Sequence, residues 1–531
     1  MIYVLAVFLV MVQLPGTMQF YASGLTSRTS SRTFDRDICM KNGPSKPKGP
    51  TSIGDARREQ MKNSGSNRPK SLNDAGSGGG GGRPLEYETL KTNSANFVKA
   101  IKYRSQDLNA GDMSREERAD IFSLLNHHSH SMNAPLLAST IYSLGMFSQN
   151  TKSRLNLREE TKLLQNDIPR VAGQLSSYDT VSLVVGMARM QAQWSDVCRD
   201  ISLSSQVSYH LSSMDDRAVG DVVWSIGSMG ARWNELPKPL QFSILTSLER
   251  EGSKLNSFAL SSTFWSMAKM GAKWSYFSSK LQLDFLRRAV ELGPLMSPQQ
   301  SSKLVWALGT MGANSEVFPE FLLESHVVNV GTIKKSQIGF AVSASQTLTG
   351  VAKTGVTWEK ISPLMRSTLW DQIIRICQSN NDRGIANAIW SLGTIGTPMN
   401  SIPENIKELM LSSSGNIMKE CSSWAFCNII WGLAKMKFTW SEFPKNFKDT
   451  LMLNSIRLEK DMNSVDVGIL VWSLGSLDTP LDTLPVDFVE PLLKATLRNL
   501  ESMRAQELSR TIWGLSGTGL SWDSIPAPVR W

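Results

Sequence analysis

Basic and hydroxylic side chains return along this chain at intervals of about 41 residues: Arg189, Ser228, Lys269, Thr310, Lys353, Thr394, Lys435 and Ser476. Seven residues before each stands a position that varies while staying mostly polar: Ser182, Asp221, Ser262, Lys303, Gln346, Asn387, Asn428 and Ile469. Ser139 and Arg510 extend that series at its two ends. A Ser, Gly or Ala always stands between the two positions. On a helix these three positions, four and three residues apart, share one face. A cation beside a changing polar group suits modular binding of a single-stranded polyanion. Lys and Arg would hold phosphates, which position the strand, and the varying side chain would address a base edge, which specifies it. The candidates for phosphate contact are Arg189, Lys269, Lys353 and Lys435. Those for base reading are Asp221, Lys303, Gln346, Asn387, Asn428 and Arg510, over a floor of small residues. The rival account of the stripe is plain solvated helix surface.

A pattern anchored mainly on tryptophan places these positions. Clear copies read VVWSIGSMGARW around Trp224, TFWSMAKMGAKW around Trp265, LVWALGTMGA around Trp306 and AIWSLGTIG around Trp390. IIWGLAKMKFTW around Trp431, LVWSLGSL around Trp472 and TIWGLSGTGLSW around Trp513 continue it, and Tyr142, Val185 and Thr349 anchor degenerate copies. The ten anchors are spaced 43, 39, 41, 41, 43, 41, 41, 41 and 41 residues apart. A fixed period of this size marks stacked structural repeats.

With the anchor as zero, the stripe occupies −3, +1 and +4. Position +2 is apolar in every copy, from Leu144 to Leu515, and −1 in most. Positions −4 and +3 are nearly always small, so a neighbouring helix can approach and the anchor ring is read as filling the gap. Glycine recurs at +6, where a helix cap falls. A second aromatic follows at +9 (Trp194, Trp233, Trp274, Trp358, Trp440, Trp522), and a proline at +13 opens a second helix. The expected fold is all-α: a right-handed superhelical solenoid of about ten two-helix repeats of roughly 41 residues, over residues 96–531.

Catalytic signatures are missing: there is no GxSxG, HExxH or paired DxD, and no Cys–His set at workable spacing, so neither an enzyme nor a cofactor is expected. The five cysteines form no CxxC pair. NHHSH at His127, His128 and His130 reads as a solvated polar turn before it reads as a metal site. The run Gly78–Gly82 lacks the strand, Lys and Ser/Thr of a phosphate loop. The formal charge is +9, but residues 1–83 hold 12 Lys/Arg against 5 Asp/Glu, leaving the repeats close to neutral. A polyanion site there must come from clustering on one face.

Residues 1–19 contain the apolar run VLAVFLVMVQL, too short to span a bilayer and long enough for a signal core. The following FYASGLTSRTSSRTF carries no acid before Asp35. The pair resembles the bipartite presequence of algae with secondary plastids, with Phe20 after the cleavage point. A plastid is therefore expected, with a mitochondrion as the alternative, weakened because no Lys or Arg precedes Arg28. Residues 20–95 read as transit peptide and a disordered linker rich in Gly, Pro and Ser. No membrane association is expected of the mature form.

The string W-[SAG]-[LIM]-[GA]-x-[ML]-G-x-x-W followed by proline resembles the helical repeats of octotricopeptide proteins. It is also similar to FAST-kinase-like leucine-rich repeats and to a repeat subunit of mitochondrial RNA-editing substrate-binding complexes. The resemblance implies single-stranded organellar RNA as ligand, other RNA-processing proteins as partners, and a role in transcript stabilisation, processing or translation. Many members carry a C-terminal RAP domain, which is not visible here. The sequence stops at SWDSIPAPVRW, where a second helix should begin, and so reads as a fragment or an incomplete gene model. Two rivals stand beside the RNA reading: a HEAT-like scaffold for protein partners, favoured by the near-neutral repeats, and an enzyme whose active domain lies beyond residue 531.

Overall fold

The structure is a computed structural model that describes residues 115–150, 167–198, 201–316, 320–333 and 339–521, with isolated positions 96, 99 and 101. The signal-like segment, the transit and linker readings and the glycine run lie outside the described residues, as do Pro319, Trp522 and Pro526.

Among the described residues all ten anchors fall on helices, and no strand occurs. The anchor helices are Ala134–Asn150, Ser177–Arg189, Asp216–Ser228, Ser257–Lys269, Pro298–Met311, Phe340–Lys353, Asp382–Ile395, Ser423–Lys435, Ser464–Ser476 and Ala505–Ser516. Each packs against the anchor helix of the next repeat. Second helices such as Lys238–Glu251, Pro363–Cys377 and Lys445–Leu458 form a row behind them. This is a stack of two-helix units consistent with a helical solenoid.

Each repeat is delimited by local chemistry. Nine residues before the anchor, a short polar side chain accepts a hydrogen bond from the third helical N–H: Ser176, Asp215, Asn256, Ser297, Asn381, Ser422 and Asn463. Such a cap satisfies an amide the helix leaves orphaned. At +6 the chain turns left-handed, with φ between 75° and 80° at Gly230, Gly271, Gly312, Gly355, Gly396 and Gly519. Gln191, Lys437 and Asp478 adopt the same turn. The +9 tryptophan then opens a short helical turn and is 3–9 % exposed in the five repeats where it is described.

A bond not apparent from the sequence ties five of the repeats to the next. The +9 backbone N–H donates to the +5 carbonyl of the following repeat: Trp194 to Met229, Trp233 to Met270, Ser315 to Thr354, Trp440 to Leu477 and Leu481 to Thr518. A turn that would expose backbone groups instead fixes the step between repeats. Pro237, Pro403, Pro444 and Pro485 stand at +13, immediately before the first residue of the second helix.

The core is built from +2 and −1, buried in every described repeat except at Ile512. The anchor rings behave differently from expectation. Trp224, Trp265, Trp306, Trp390, Trp431 and Trp472 are only half-buried, and Trp513 is 50 % exposed. The reason lies where the helices meet. A Cβ added to Gly309 would meet the Gly350 carbonyl oxygen at 2.2 Å, and one on Gly350 would meet that of Val305 at 2.5 Å. Gly432 against Ile389 (2.4 Å) and Gly475 against Gly514 (2.3 Å) repeat the arrangement. Helices this close leave no gap for an indole, so the ring emerges at the rim.

Arginines of the second row close the helices before them. Arg250 donates to the carbonyls of Leu211 and Met214, Arg375 to Gly331 and Ile333, Arg457 to Met418 and Cys421, and Arg170 to Ser129 and Met132. Cations at helix C-termini satisfy orphan carbonyls and oppose the helix dipole. NHHSH is also placed differently from its reading as a solvated turn: His127 and His128 end the helix Arg115–Ser129, and His128 is buried.

Candidate nucleic-acid interface

One strip of the anchor helices, at positions −7, −3, 0 and +4, remains largely accessible, with Ser182, Val185 and Ser262 as buried exceptions. Position +1, expected as an open floor beside them, is covered by the neighbouring helix. Ser225, Ala307, Ser391 and Ser473 are fully buried, and the three hydroxyls donate to carbonyls four residues back in their own helix. The strip therefore has an indole in its middle where a small residue was expected.

Four of those indoles, from Trp390 to Trp513, lie ring against ring. Ring centroids of Trp390 and Trp431 lie 6.0 Å apart with planes at 23°, Trp431 and Trp472 6.4 Å at 40°, and Trp472 and Trp513 5.8 Å at 27°. Three of the four candidate cations, Arg189, Lys269 and Lys435, sit over anchor rings. Lys435 Nζ is 5.5 Å from the Trp431 centroid and 4.9 Å from that of Trp472. Lys269 (4.9 Å) and Lys303 of the next repeat (5.9 Å) both lie over Trp265. Arg189 lies 5.3 Å above the Tyr142 ring and also donates toward the Met146 sulfur. An ammonium on an indole face is held by the ring quadrupole and gives up part of its hydration.

Among the described residues, none of Lys269, Lys303, Lys353 and Lys435 has a carboxylate within ion-pair distance. Desolvation lowers the pKa of all four, and Lys435 is lowered further by Lys437 and Arg510. Partly dehydrated ammoniums with no internal counter-ion gain from an approaching anion, because its charge compensates the hydration that burial removed.

The base-reading candidates divide. Gln346, Lys353 and Asn387 meet at one cleft of about 530 Å³ with Trp306, Arg383 and Trp424. Lys435 lines a second, of about 690 Å³, with Lys437, Trp472 and Trp513. Asp221 is half-buried beside Arg217 (3.9 Å); burial raises its pKa, and Arg217 and Arg189 pull it down. That carboxylate is engaged with cations of its own face. Asn428 donates its amide to the Trp424 carbonyl in its own helix, and Gln346 accepts from Ser302. Arg510 is half-buried near Lys435. Ser182 and Ser262, two other members of the −3 series, are buried and cannot reach a ligand.

Aromatics at −7 belong to the same strip and were missed: Tyr178 is 80 % exposed, Phe258 59 % and Trp424 45 %. Their spacing of two helical turns from the anchor was the available signal.

No family model matches the chain, and no curated protein matches it. Among structures, a homology model of the full-length AP-3 complex in an intermediate open conformation aligns over 82 % of each chain at 9 % identity, with a TM-score of 0.32. At that score the likeness carries no argument about this chain.

Other chemistry finds little support in the described residues. No group of three or more His, Cys, Asp or Glu is placed to hold a metal ion, and no helix is long and apolar enough to cross a membrane. Burial pushes the Cys198 thiol up to about 12 and those of Cys377 and Cys421 to about 11, and holds Cys427 well above its ordinary value. A thiol so raised is not a nucleophile near neutral pH.

Proposed function

We propose that this helical-repeat protein binds single-stranded RNA along its anchor strip and serves the stabilisation, processing or translation of organellar transcripts. The repeat architecture alone supports a binding scaffold and nothing narrower. What favours RNA is a single arrangement: dehydrated lysines without carboxylate partners, seated on half-exposed, partly stacked indoles. Proteins that hold single strands combine a cationic track with aromatic platforms, because every phosphate is anionic and every base has a π-face. The resemblance to octotricopeptide-like repeats and the plastid-type leader, with a mitochondrion as alternative, belong to this same proposal.

The test is a titration of the full chain with labelled 20-residue RNAs at several salt concentrations. Replacing Lys269, Lys353 and Lys435 together by Ala should weaken binding to all sequences and lower the salt slope by about 0.7 for each phosphate no longer neutralised. Absence of RNA binding by the folded chain would reject the reading.

A protein partner is the second reading, and a different surface favours it. Phe242, Leu453 and Val486 are exposed apolar side chains on the second helices, and the charge outside the leader is nearly balanced. Scattered apolar residues on a near-neutral face suit a protein better than a polyanion. Co-purification of a stable partner that survives loss of Lys269, Lys353 and Lys435 would favour the scaffold.

A further inference from the structure

The anchor row has one described position where a small polar side chain replaces the ring and a cleft opens. In the repeat after Trp306 the anchor is Thr349, whose hydroxyl donates back to the Ser345 carbonyl of its own helix. The cleft of about 530 Å³ lies there, lined on its aromatic sides by Trp306 and Trp424. Gln346 and Asn387 bring two carboxamides to it, and Lys353 and Arg383 bring two cations. Among the described residues neither cation has a carboxylate within ion-pair distance, and Asp382 faces the backbone N–H of Arg383. Aromatic walls, donor–acceptor amides and unpaired positive charge thus converge where one ring is missing.

We propose that this gap is a socket for one nucleobase of the bound single strand. The base enters where eight of the other nine repeats carry an anchor ring, between Trp306 and Trp424. The amides of Gln346 and Asn387 address its polar edge, since a carboxamide can donate and accept at once. Lys353 and Arg383 hold the flanking phosphates. The socket rests on the RNA reading, and it adds to that reading a position along the strand where a base is inserted and not merely laid on the surface. Charge complementarity favours a nucleotide over an apolar peptide side chain, which would leave both cations without an anion and the Asn387 amide without a partner.

The experiment compares the full chain with Thr349→Trp and Thr349→Ser, using fluorescein-labelled 20-residue homopolymers of A, C, G and U at fixed salt. Thr349→Trp installs the residue that seven other repeats hold at the anchor and fills the gap. Binding should fall about 5- to 100-fold, the loss of one stacked base, with an unchanged salt slope. Thr349→Ser should bind like the natural chain. A second variant, Gln346→Leu with Asn387→Leu, guards against misfolding of the first. It should flatten the preference among the four homopolymers while keeping the salt slope. If Thr349→Trp folds and binds as the natural chain does, or the double variant keeps every preference, the socket is wrong while RNA binding stands. If the natural chain binds none of the homopolymers, the RNA reading falls and the socket with it.

Discussion

The two helix rows use positive charge in different ways. In the second row, Arg250, Arg375 and Arg457 point back at the end of the preceding helix and donate to its last carbonyls. In the anchor row, Lys269 and Lys435 rest on indole faces, and no carboxylate lies within ion-pair distance among the described residues. The first set has its partners inside the fold; the second has none and lies on an accessible strip. A nearly neutral repeat region can therefore still present a cationic line. Net charge says less about a polyanion site than which cations already have partners.

The largest effect should come from forcing apart the close helix pair that sets the anchor row. Gly350→Val places carbon within 2.5 Å of the Val305 carbonyl, so the backbones must separate. Urea denaturation should show a loss of about 3–5 kcal/mol, as for severe overpacking of a core. Next, the two tryptophan classes should separate. Trp274→Ala removes a buried ring and should cost about 3–5 kcal/mol. Trp306→Ala removes a half-buried ring and should cost about 1–2 kcal/mol. Equal losses would erase the distinction between core and rim.

His326 probes the junction of the rows, since it lies in a second helix and bonds the Ser301 hydroxyl of an anchor helix. Burial lowers its pKa to about 4, below the ordinary 6.5. Between those values the unfolded chain binds the extra proton. The stabilising contribution is therefore complete above pH 6.5 and lost as pH falls toward 4. The full loss should approach about 3 kcal/mol and vanish in His326→Gln. The smallest stability effects should contrast the two rows directly. Arg457→Ala should cost about 1–2 kcal/mol by leaving helix-end carbonyls without donors, and should leave RNA binding unchanged. Lys435→Ala should change stability by less than about 0.5 kcal/mol and weaken RNA binding at low salt.

The repeat unit was legible because its punctuation is local. Glycine at +6, an aromatic at +9 and proline at +13 each answer to backbone geometry within one repeat, and the helices begin and end where they indicate. The site was legible only in part. Lys269, Lys353, Lys435, Gln346 and Asn387 reach the accessible strip, but +1 does not, because burial there depends on how closely the preceding anchor helix approaches. The same approach moves the tryptophans from core to rim, a relation between repeats that no single copy displays. The small residues at +3 and +1 carried that information: on opposite sides of the helix, +3 meets the next anchor helix and +1 meets the preceding one. The bond from +9 to the next repeat has no side-chain signature, so sequence could not reveal it.

Ultraviolet crosslinking of the full chain to single-stranded RNA, followed by mass spectrometry of the adduct-bearing peptides, tests the central claim most directly. Adducts should map to the anchor strip, on peptides carrying Trp265 and Lys269, Trp306, Trp424, and Trp431 and Lys435. Peptides from the second helices around Arg250, Arg375 and Arg457 should remain unmodified. Adducts confined to the second helices, or none with the folded chain, would contradict the account.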